Sequence, residues 1–350
     1  MKISYTACIS AALCFAAACT PPAASGDRSD PKSNSEAALP DTVTLALDWS
    51  PNVLHSGIFL AAYRGWYRDE GIHLNWFTTE IDGYRKKPVQ RLADGEVDLA
   101  IGPSEHLFFF RKNGMNNPVA VASVLQKDKS AFCMKAEEGL SGPGDLAGHT
   151  YIGYNTPLEQ AILTAMMRED GLDKAPEMRT PGRLEVWEDF MNTEKGIAWI
   201  FTHWEGVMAE NSGTALTCFT PADYGVPYGY SSVLMARENR NNEEEALLKK
   251  FLKVTERGYR AVADLPADTT AAILNAAVDH PNFADLGFSA RAAERIRDGF
   301  LRTDGSWGRT DPAQWEAYLN WIRTEVKEEI PDSLYPAEVY FTNRFLDQGL

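Results

Sequence analysis

The sequence predicts an α/β protein of two lobes, each a central sheet flanked by helices. Three observations carry that reading. From residue 43 onward, short apolar strands alternate with helices across short connections, which is how parallel sheets are built. A second run of this kind starts near residue 129, after a strand at 119–125. The segment 218–233 then returns the chain to the first sheet, ahead of a helical C-terminal part. The expected layout is a first lobe of 41–128 and 223–350, interrupted by a second lobe of 129–222.

The 350 residues are 44% apolar, enough for two domains' worth of core. The formal net charge is −15 with no basic patch, which argues against nucleic acid and is otherwise a matter of solubility. No repeat stands out, and no apolar run beyond residue 18 is long enough to span a membrane.

The first strand, 43–47, ends where Pro51 and Asn52 break it, because proline cannot continue the ladder. From His55 onward Ile58, Phe59, Ala61, Ala62 and Trp66 recur at helical spacing, and Gly65 and Gly71 close that helix. Asp48, Trp49 and Asn52 therefore lie at the carboxyl end of a strand, with His55 at the opening of a helix. In open α/β sheets ligands bind there. An indole beside a carboxylate suits a flat ring, stacking on its face while the acid holds its polar edge. A core tryptophan and a helix-capping aspartate fit the same residues.

A second strand covers 72–77, a short helix 89–93 stops at Asp94-Gly95, and a third strand covers 97–102. Pro103-Ser104-Glu105-His106 opens the next helix. Residues 131–134 carry the chain into the second lobe, where a glycine-rich turn at 139–148 precedes a strand at 150–154 and a helix at 158–169. A strand at 196–201 ends in the mouth Thr202-His203-Trp204-Glu205-Gly206. From residue 243 the pattern is helical, with Leu247, Leu248, Phe251, Leu252 and Val254 on one face, and later helices at 290–300 and 312–326.

The first 18 residues read as an export signal, with Lys2 ahead of an apolar stretch too short to span a bilayer. It ends Ala16-Ala17-Ala18-Cys19, a lipoprotein box with alanine where leucine is usual, in which Cys19 would become the lipidated terminus. The same residues fit a plain Ala-x-Ala cleavage site releasing a soluble protein. Residues 19–40, rich in Pro, Ser, Ala and Asp with little to bury, are expected to form a disordered tether. Of the 5 cysteines, Cys133 and Cys218 are left in the body and can pair in an oxidising compartment if the fold brings them together.

The run Leu47-Asp48-Trp49-x-Pro51-Asn52-x-x-His55-x-Gly57, followed by Leu60-Ala61-x-x-x-Gly65-Trp66-Tyr67-x-x-Glu70-Gly71-Ile72, resembles the opening of the binding proteins for thiamine pyrimidine precursors. That family serves ABC importers and shares its fold with the yeast enzyme that makes hydroxymethylpyrimidine phosphate. It is also similar to riboflavin and aliphatic-sulfonate binding proteins. The order of elements, one lobe interrupted by another with two crossings, resembles type II periplasmic binding proteins, with the ligand in a cleft between the lobes.

The resemblance implies an envelope receptor in the periplasm, its partners a small aminopyrimidine-like heterocycle and an ABC permease, with a membrane reached through the lipid on Cys19. A monomer without cofactor or metal is expected. Four strand ends would supply the ligand contacts. They offer Asp48, Trp49 and His55; Ser104, Glu105 and His106; Tyr154, Asn155 and Glu159; and Trp204 with Glu205. Tyr228 and Tyr230 lie on the return crossing. Gly153-Tyr154-Asn155-Thr156-Pro157-Leu158-Glu159-Gln160-Ala161 resembles a family motif, with glutamine in place of its second acid, and His203-Trp204-Glu205-Gly206 resembles the family's Gly-Trp-acid-Gly. Glu105 and Glu159 equally fit acids placed in a first helical turn by the helix dipole. A flavin or a sulfonate is the alternative ligand, and a sulfonate would want a basic or amide-rich site.

Catalysis is not expected. The related synthase holds pyridoxal phosphate on a lysine, uses a histidine four residues later, and has a cysteine-rich iron-binding run. Alignment on 97–106 keeps the histidine as His106 and puts Gly102 at the lysine, while one cysteine, Cys218, stands in the other region. No metal-ligand spacing, nucleophile elbow or phosphate-binding glycine loop appears.

Overall fold

The first lobe begins with β1 (Asp41–Ala46), α1 (Ser56–Tyr63), α2 (Trp66–Asp69), β2 (Ile72–Phe77), α3 (Pro88–Ala93), β3 (Leu99–Gly102), α4 (Glu105–Lys112) and β4 (Pro118–Ser123). The chain then builds β5 (Ser130–Lys135), β6 (Thr150–Ile152), α5 (Pro157–Arg168), β7 (Glu177–Arg179), α6 (Val186–Asn192), β8 (Gly196–Phe201), α7 (Glu205–Asn211) and β9 (Leu216–Phe219). It closes with β10 (Val233–Arg237), α8 (Asn242–Asp264), α9 (Ala267–Ala277), α10 (Leu286–Ile296) and α11 (Pro312–Trp321). This computed structural model describes residues 41–114, 118–137, 139–182, 185–326 and 336–346, within one unit of 39–350. The expected signal 1–18, tether 19–40 and Cys19 lie outside the described residues.

Two five-stranded sheets result, in the orders β2-β1-β3-β10-β4 and β7-β6-β8-β5-β9. In the first, β1 runs parallel to β2 and β3, while β10 enters antiparallel between β3 and β4, its register with β4 slipping between Leu234 and Met235. In the second, β6 runs parallel to β7 and β8, and β5 lies antiparallel to β8 and β9. The chain changes sheet twice, at 124–129 and at 220–232. All described strands of the second sheet fall between these crossings.

Local chemistry explains the boundaries. Asn52 caps the turn that starts α1: its Oδ1 accepts from Leu54 N at 2.8 Å, and His55 Nδ1 accepts from Asn52 N at 3.2 Å. This reciprocal pair satisfies two donors a helix start would otherwise leave unmade. Asn241 and Glu244 do the same for α8, whose buried Leu248, Phe251, Leu252 and Val254 form the anticipated apolar face. Helices α1 and α8 cross at Gly57 and Gly258. A Cβ on Gly258 would stand 2.0 Å from the Gly57 carbonyl oxygen, so only glycine permits that approach.

Several elements depart from the sequence expectation. The helix expected at 290–300 begins at Leu286 and ends at Ile296, and the one at 312–326 is α-helical only to Trp321 before a π turn, Ile322–Val326. Strand β7 and helix α6 have no counterpart in the sequence expectation, because three and seven residues are too short to show a period, whereas α9 falls within the stretch from residue 243 read as helical. One apolar cluster fills the space between the first sheet and α1, α8 and α10, and a second, on α3, α4 and α11, runs through Phe108, Trp315 and Tyr318 to Phe132 and Tyr151 of the second lobe. Cys133 and Cys218 sit directly opposite each other on β5 and β9, 4.1 Å apart at Cα, and are bonded as a disulfide.

Candidate ligand-binding site

The carboxyl ends of β1, β3 and β8 come to one region. After β1, Asp48 accepts from His55 Nε2 at 2.9 Å through Oδ1 and from Ser232 Oγ at 2.7 Å through Oδ2. His55 is fully buried and both its ring nitrogens are used, Nδ1 on the Asn52 N–H and Nε2 on Asp48. Nδ1 accepting places the proton on Nε2. Burial pushes the Asp48 carboxyl up, but the hydrogen bonds from His55 and Ser232 outweigh it, holding the group below its usual range. Asp48 and His55 therefore brace the mouth from beneath, and Ser232, on the return crossing, ties the second connection to it.

Trp49 stands above that brace, 37% exposed, tilted against Tyr84 with ring centroids 4.3 Å apart. The Tyr84 hydroxyl reaches Ser50 Oγ at 2.9 Å. Asn282 Nδ2 donates to the Pro51 carbonyl at 2.9 Å, pinning the loop that carries the indole.

At the end of β3, Ser104 and Glu105 are buried at 1% and 8% exposure. Glu105 Oε1 accepts from the Tyr228 hydroxyl at 3.2 Å, whereas Glu105 Oε2 and Ser104 Oγ have no partner among the described residues. Burial pushes the Glu105 carboxyl up to about 7, against the helix-start N–H and Tyr228, which favour the charged form. His106 beside it is held neutral, pushed down to about 3 by burial and by the charge of Lys87, whose Nζ lies 3.4 Å from Nε2.

Tyr228 links this mouth to the second lobe, its ring 5.0 Å from Trp199. Trp199 Nε1 donates to Ser130 Oγ at 2.8 Å, and Ser130 in turn donates to Asp128 on the first crossing. Burial raises the Asp128 carboxyl to about 6 despite those bonds. The mouth of β8 adds His203, 3% exposed and pushed down to about 3 by burial and then by the Lys129 charge, with Asp48 and His55 also within electrostatic reach. The exposed Phe201 ring lies 5.6 Å from it.

The remaining expected contacts are placed differently. The Trp204 indole packs edge-on against Phe288 of α10, centroids 4.7 Å apart, so it joins the first lobe's core. Glu205 opens α7 and accepts from Phe201 N at 3.0 Å; burial raises its carboxyl to about 7. Glu159 is buried and committed to its own turn, accepting from Tyr151 Oη at 2.8 Å, Tyr154 N at 3.1 Å and Thr156 N at 2.6 Å. Asn155 is exposed, accepts from Gln160 Nε2 at 2.7 Å, and occupies left-handed backbone at φ 54°. The Tyr230 hydroxyl accepts from Asp311 N at 2.8 Å. Of the two tyrosines on the return crossing, Tyr228 faces the carboxylate. Sequence reasoning passed over Asp128, Trp199 and His203; the last was visible only as the odd residue in a motif that elsewhere carries glycine.

The mouth thus offers desolvated carboxyls, neutral imidazoles and aromatic faces. Such groups hydrogen-bond a flat, amino-bearing heterocycle without burying an unpaired charge.

The model of the family described as NMT1/THI5 like matches residues 52–269. The formylaminopyrimidine-binding protein of Halalkalibacterium halodurans is 25% identical over 287 residues, covering 81% of this chain and 84% of that one. Among solved structures, the zinc-bound ligand-binding component of an ABC-type import system from Staphylococcus aureus superposes with TM-score 0.63 at 11% identity, over 87% of this chain and 97% of that one. A putative periplasmic sulfonate-binding protein from Methylobacillus flagellatus KT gives 0.58 at 12% identity, over 88% and 93%. The desulfurization enzyme DSZB gives 0.59 at 12% identity, over 87% and 97%. Likeness at this level shows the two-lobed periplasmic-binding-protein fold, which carries receptors and an enzyme alike.

Proposed function

This chain belongs to the NMT1/THI5-like family, and from there we propose that it is the substrate-binding receptor of an ABC importer for an aminopyrimidine related to thiamine precursors. The observation that carries the ligand class is Glu105. It is a buried carboxyl with one oxygen held by Tyr228 and the other unpartnered, at a mouth walled by aromatic rings. A carboxyl raised to about 7 can accept from an exocyclic amine and, protonated, donate to a ring nitrogen. Trp49 supplies an exposed face for stacking, a contact that contributes roughly 1–3 kcal/mol per ring by analogy with nucleobases.

The receptor reading is supported by what the synthase chemistry would need. Gly102 offers no amine for a Schiff base, and Cys218 is tied in a disulfide, so no thiolate stands there. A disulfide fits an oxidising compartment, in keeping with export to the periplasm and a lipid on Cys19. A sulfonate is less well served, because Asp48, Glu105, Asp128 and Glu205 surround the mouth with carboxyls. Delivery would follow hinge closure of the lobes about the crossings at 124–129 and 220–232.

The test is a thermal-shift screen of the purified chain against aminopyrimidines, thiamine, flavins, nucleobases and taurine. A ligand at 100 times its Kd adds about 2.7 kcal/mol, which is readily seen. Stabilisation by an aminopyrimidine is expected; a response to taurine or flavin alone would replace this reading.

A further inference from the structure

His203 differs from the other buried histidine of this region. His55 spends both ring nitrogens on the scaffold, on the Asn52 N–H and on Asp48. His203 is 3% exposed, and its Nδ1 has no hydrogen-bond partner among the described residues. An imidazole nitrogen stripped of water and left unmatched is costly, and such groups in native folds are matched by something. Three more unpartnered buried atoms stand at the end of β3: Ser104 Oγ, Glu105 Oε2 and His106 Nδ1. They belong to the first lobe and His203 to the second. The two groups are linked by packed rings: Trp199, on β8 four residues before His203, lies with its ring 5.0 Å from Tyr228, whose hydroxyl donates to Glu105 at 3.2 Å.

The backbone around His203 is held rigid. Thr202 N and Oγ1 both donate to the Lys129 carbonyl, at 2.9 and 3.0 Å, and Trp204 N donates to the Phe201 carbonyl at 2.9 Å. The Trp204 indole is lodged against Phe288. A polar group presented on so constrained a turn is preorganised to read a ligand.

Resting on the aminopyrimidine reading above, we infer that His203 is the second lobe's specificity contact: its Nδ1 hydrogen-bonds a polar substituent on the ligand edge remote from Ser104 and Glu105. The ligand class is then an aminopyrimidine with a hydrogen-bonding substituent opposite the edge held by Ser104 and Glu105, bridging the two lobes. A neutral imidazole serves a donor or an acceptor there, according to which nitrogen holds the proton.

The experiment is calorimetric titration of wild type, His203→Leu and His203→Gln. The probes are an aminopyrimidine carrying a formylamino substituent and the same ring without it, and each variant's melting temperature is read alongside. Wild type should prefer the substituted ring by about tenfold, the worth of one buried neutral hydrogen bond. His203→Leu should lose that preference while still binding the bare ring, and His203→Gln, which keeps a polar tip, should retain part of it. A His203→Leu protein that keeps the full preference, or two variants that both bind the bare ring poorly, would overturn the inference and leave the receptor reading standing. Wild type that binds neither ring would overturn both. Should His203→Leu melt much lower, the folded His203→Gln protein decides: Gln carries its amide at the ε position and not at that of Nδ1, so an unchanged preference assigns His203 to the scaffold.

Discussion

His55 Nε2 lies 2.9 Å from Asp48 Oδ1, and this pair joins the first strand's mouth to the start of α1. Ser232 on the return crossing takes the other carboxylate oxygen, so a segment 184 residues away meets the first strand's mouth on one carboxylate. Asp48→Ala should leave the buried His55 N–H and Ser232 O–H unmatched, at about 1–3 kcal/mol, and lower Tm by several degrees. Asp48→Asn keeps an acceptor for His55 and should cost less. The sign with pH follows from a lowered folded pKa: the contribution is present above the unfolded value near 3.9 and is lost as pH falls through the lower folded one. Urea unfolding should therefore separate Asp48→Ala from wild type fully at pH 7, and the gap should narrow progressively as pH is taken below about 3.9.

Glu105 predicts the opposite slope. Its folded pKa is raised to about 7, so between about 4.5 and 7 the folded state holds a proton that the unfolded chain has released. Its contribution to stability falls as pH rises through that window. Asp128 and Glu205 act the same way, while His106 and His203, pushed down to about 3, oppose them below about 6.5. The wild-type profile is thus a partial cancellation. Glu105→Gln removes one term, and its Tm relative to wild type should climb as pH is raised from 5 to 8. A constant difference across that range would place Glu105 in contact with water.

Cys133 and Cys218 close a loop of 85 residues. On the chain-entropy account such a link is worth about 4.5 kcal/mol, and observed effects are typically 2–4. Replacing both with alanine, which avoids a lone thiol, should lower the denaturation midpoint accordingly, and reductant should then have no further effect on the variant. Ligand affinity should be unchanged, because the bond lies within the second sheet and away from the mouths of β3 and β8.

Strand-to-helix breaks at Pro51, Gly102-Pro103 and Thr156-Pro157 are written in local chemistry, which is why the mouths holding Asp48, Glu105 and Glu159 were legible in the sequence. Which of those acids stays open was not. That depends on Tyr228 arriving from 123 residues away at Glu105, and on Tyr151, Tyr154 and Thr156 closing around Glu159. The disulfide was likewise undecided, since the pairing of β5 with β9 joins cysteines separated by 85 positions in sequence. Trp204 read as a ligand-facing ring because a motif shows residue type; its packing on Phe288 is set by α10, far down the chain. Tyr228 and Tyr230 are two apart, and in so irregular a connection no period says which faces the cleft.

Glu105 and Glu159 allow the sharpest comparison, being two buried acids in the first turn of a helix at a strand mouth. Every hydrogen bond found for Glu159 is local, two of them from backbone N–H groups of the turn before α5. Glu159→Gln replaces a charged acceptor by an amide whose NH₂ faces donors, so it should cost roughly 1–3 kcal/mol of stability. Ligand affinity of the folded protein should barely move. Glu105 has one oxygen on Tyr228 and one unpartnered, and its charge is already disfavoured by burial. Glu105→Gln should leave Tm at pH 7 near wild type and weaken aminopyrimidine binding by about 10- to 150-fold, the worth of a charge-assisted hydrogen bond of roughly 1.5–3 kcal/mol. Titration calorimetry and melting curves on the two variants give four numbers. Should Glu159→Gln lose affinity with its Tm intact while Glu105→Gln binds normally, the ligand contacts lie at the mouth of β6, and the carboxylate of β3 is the structural one.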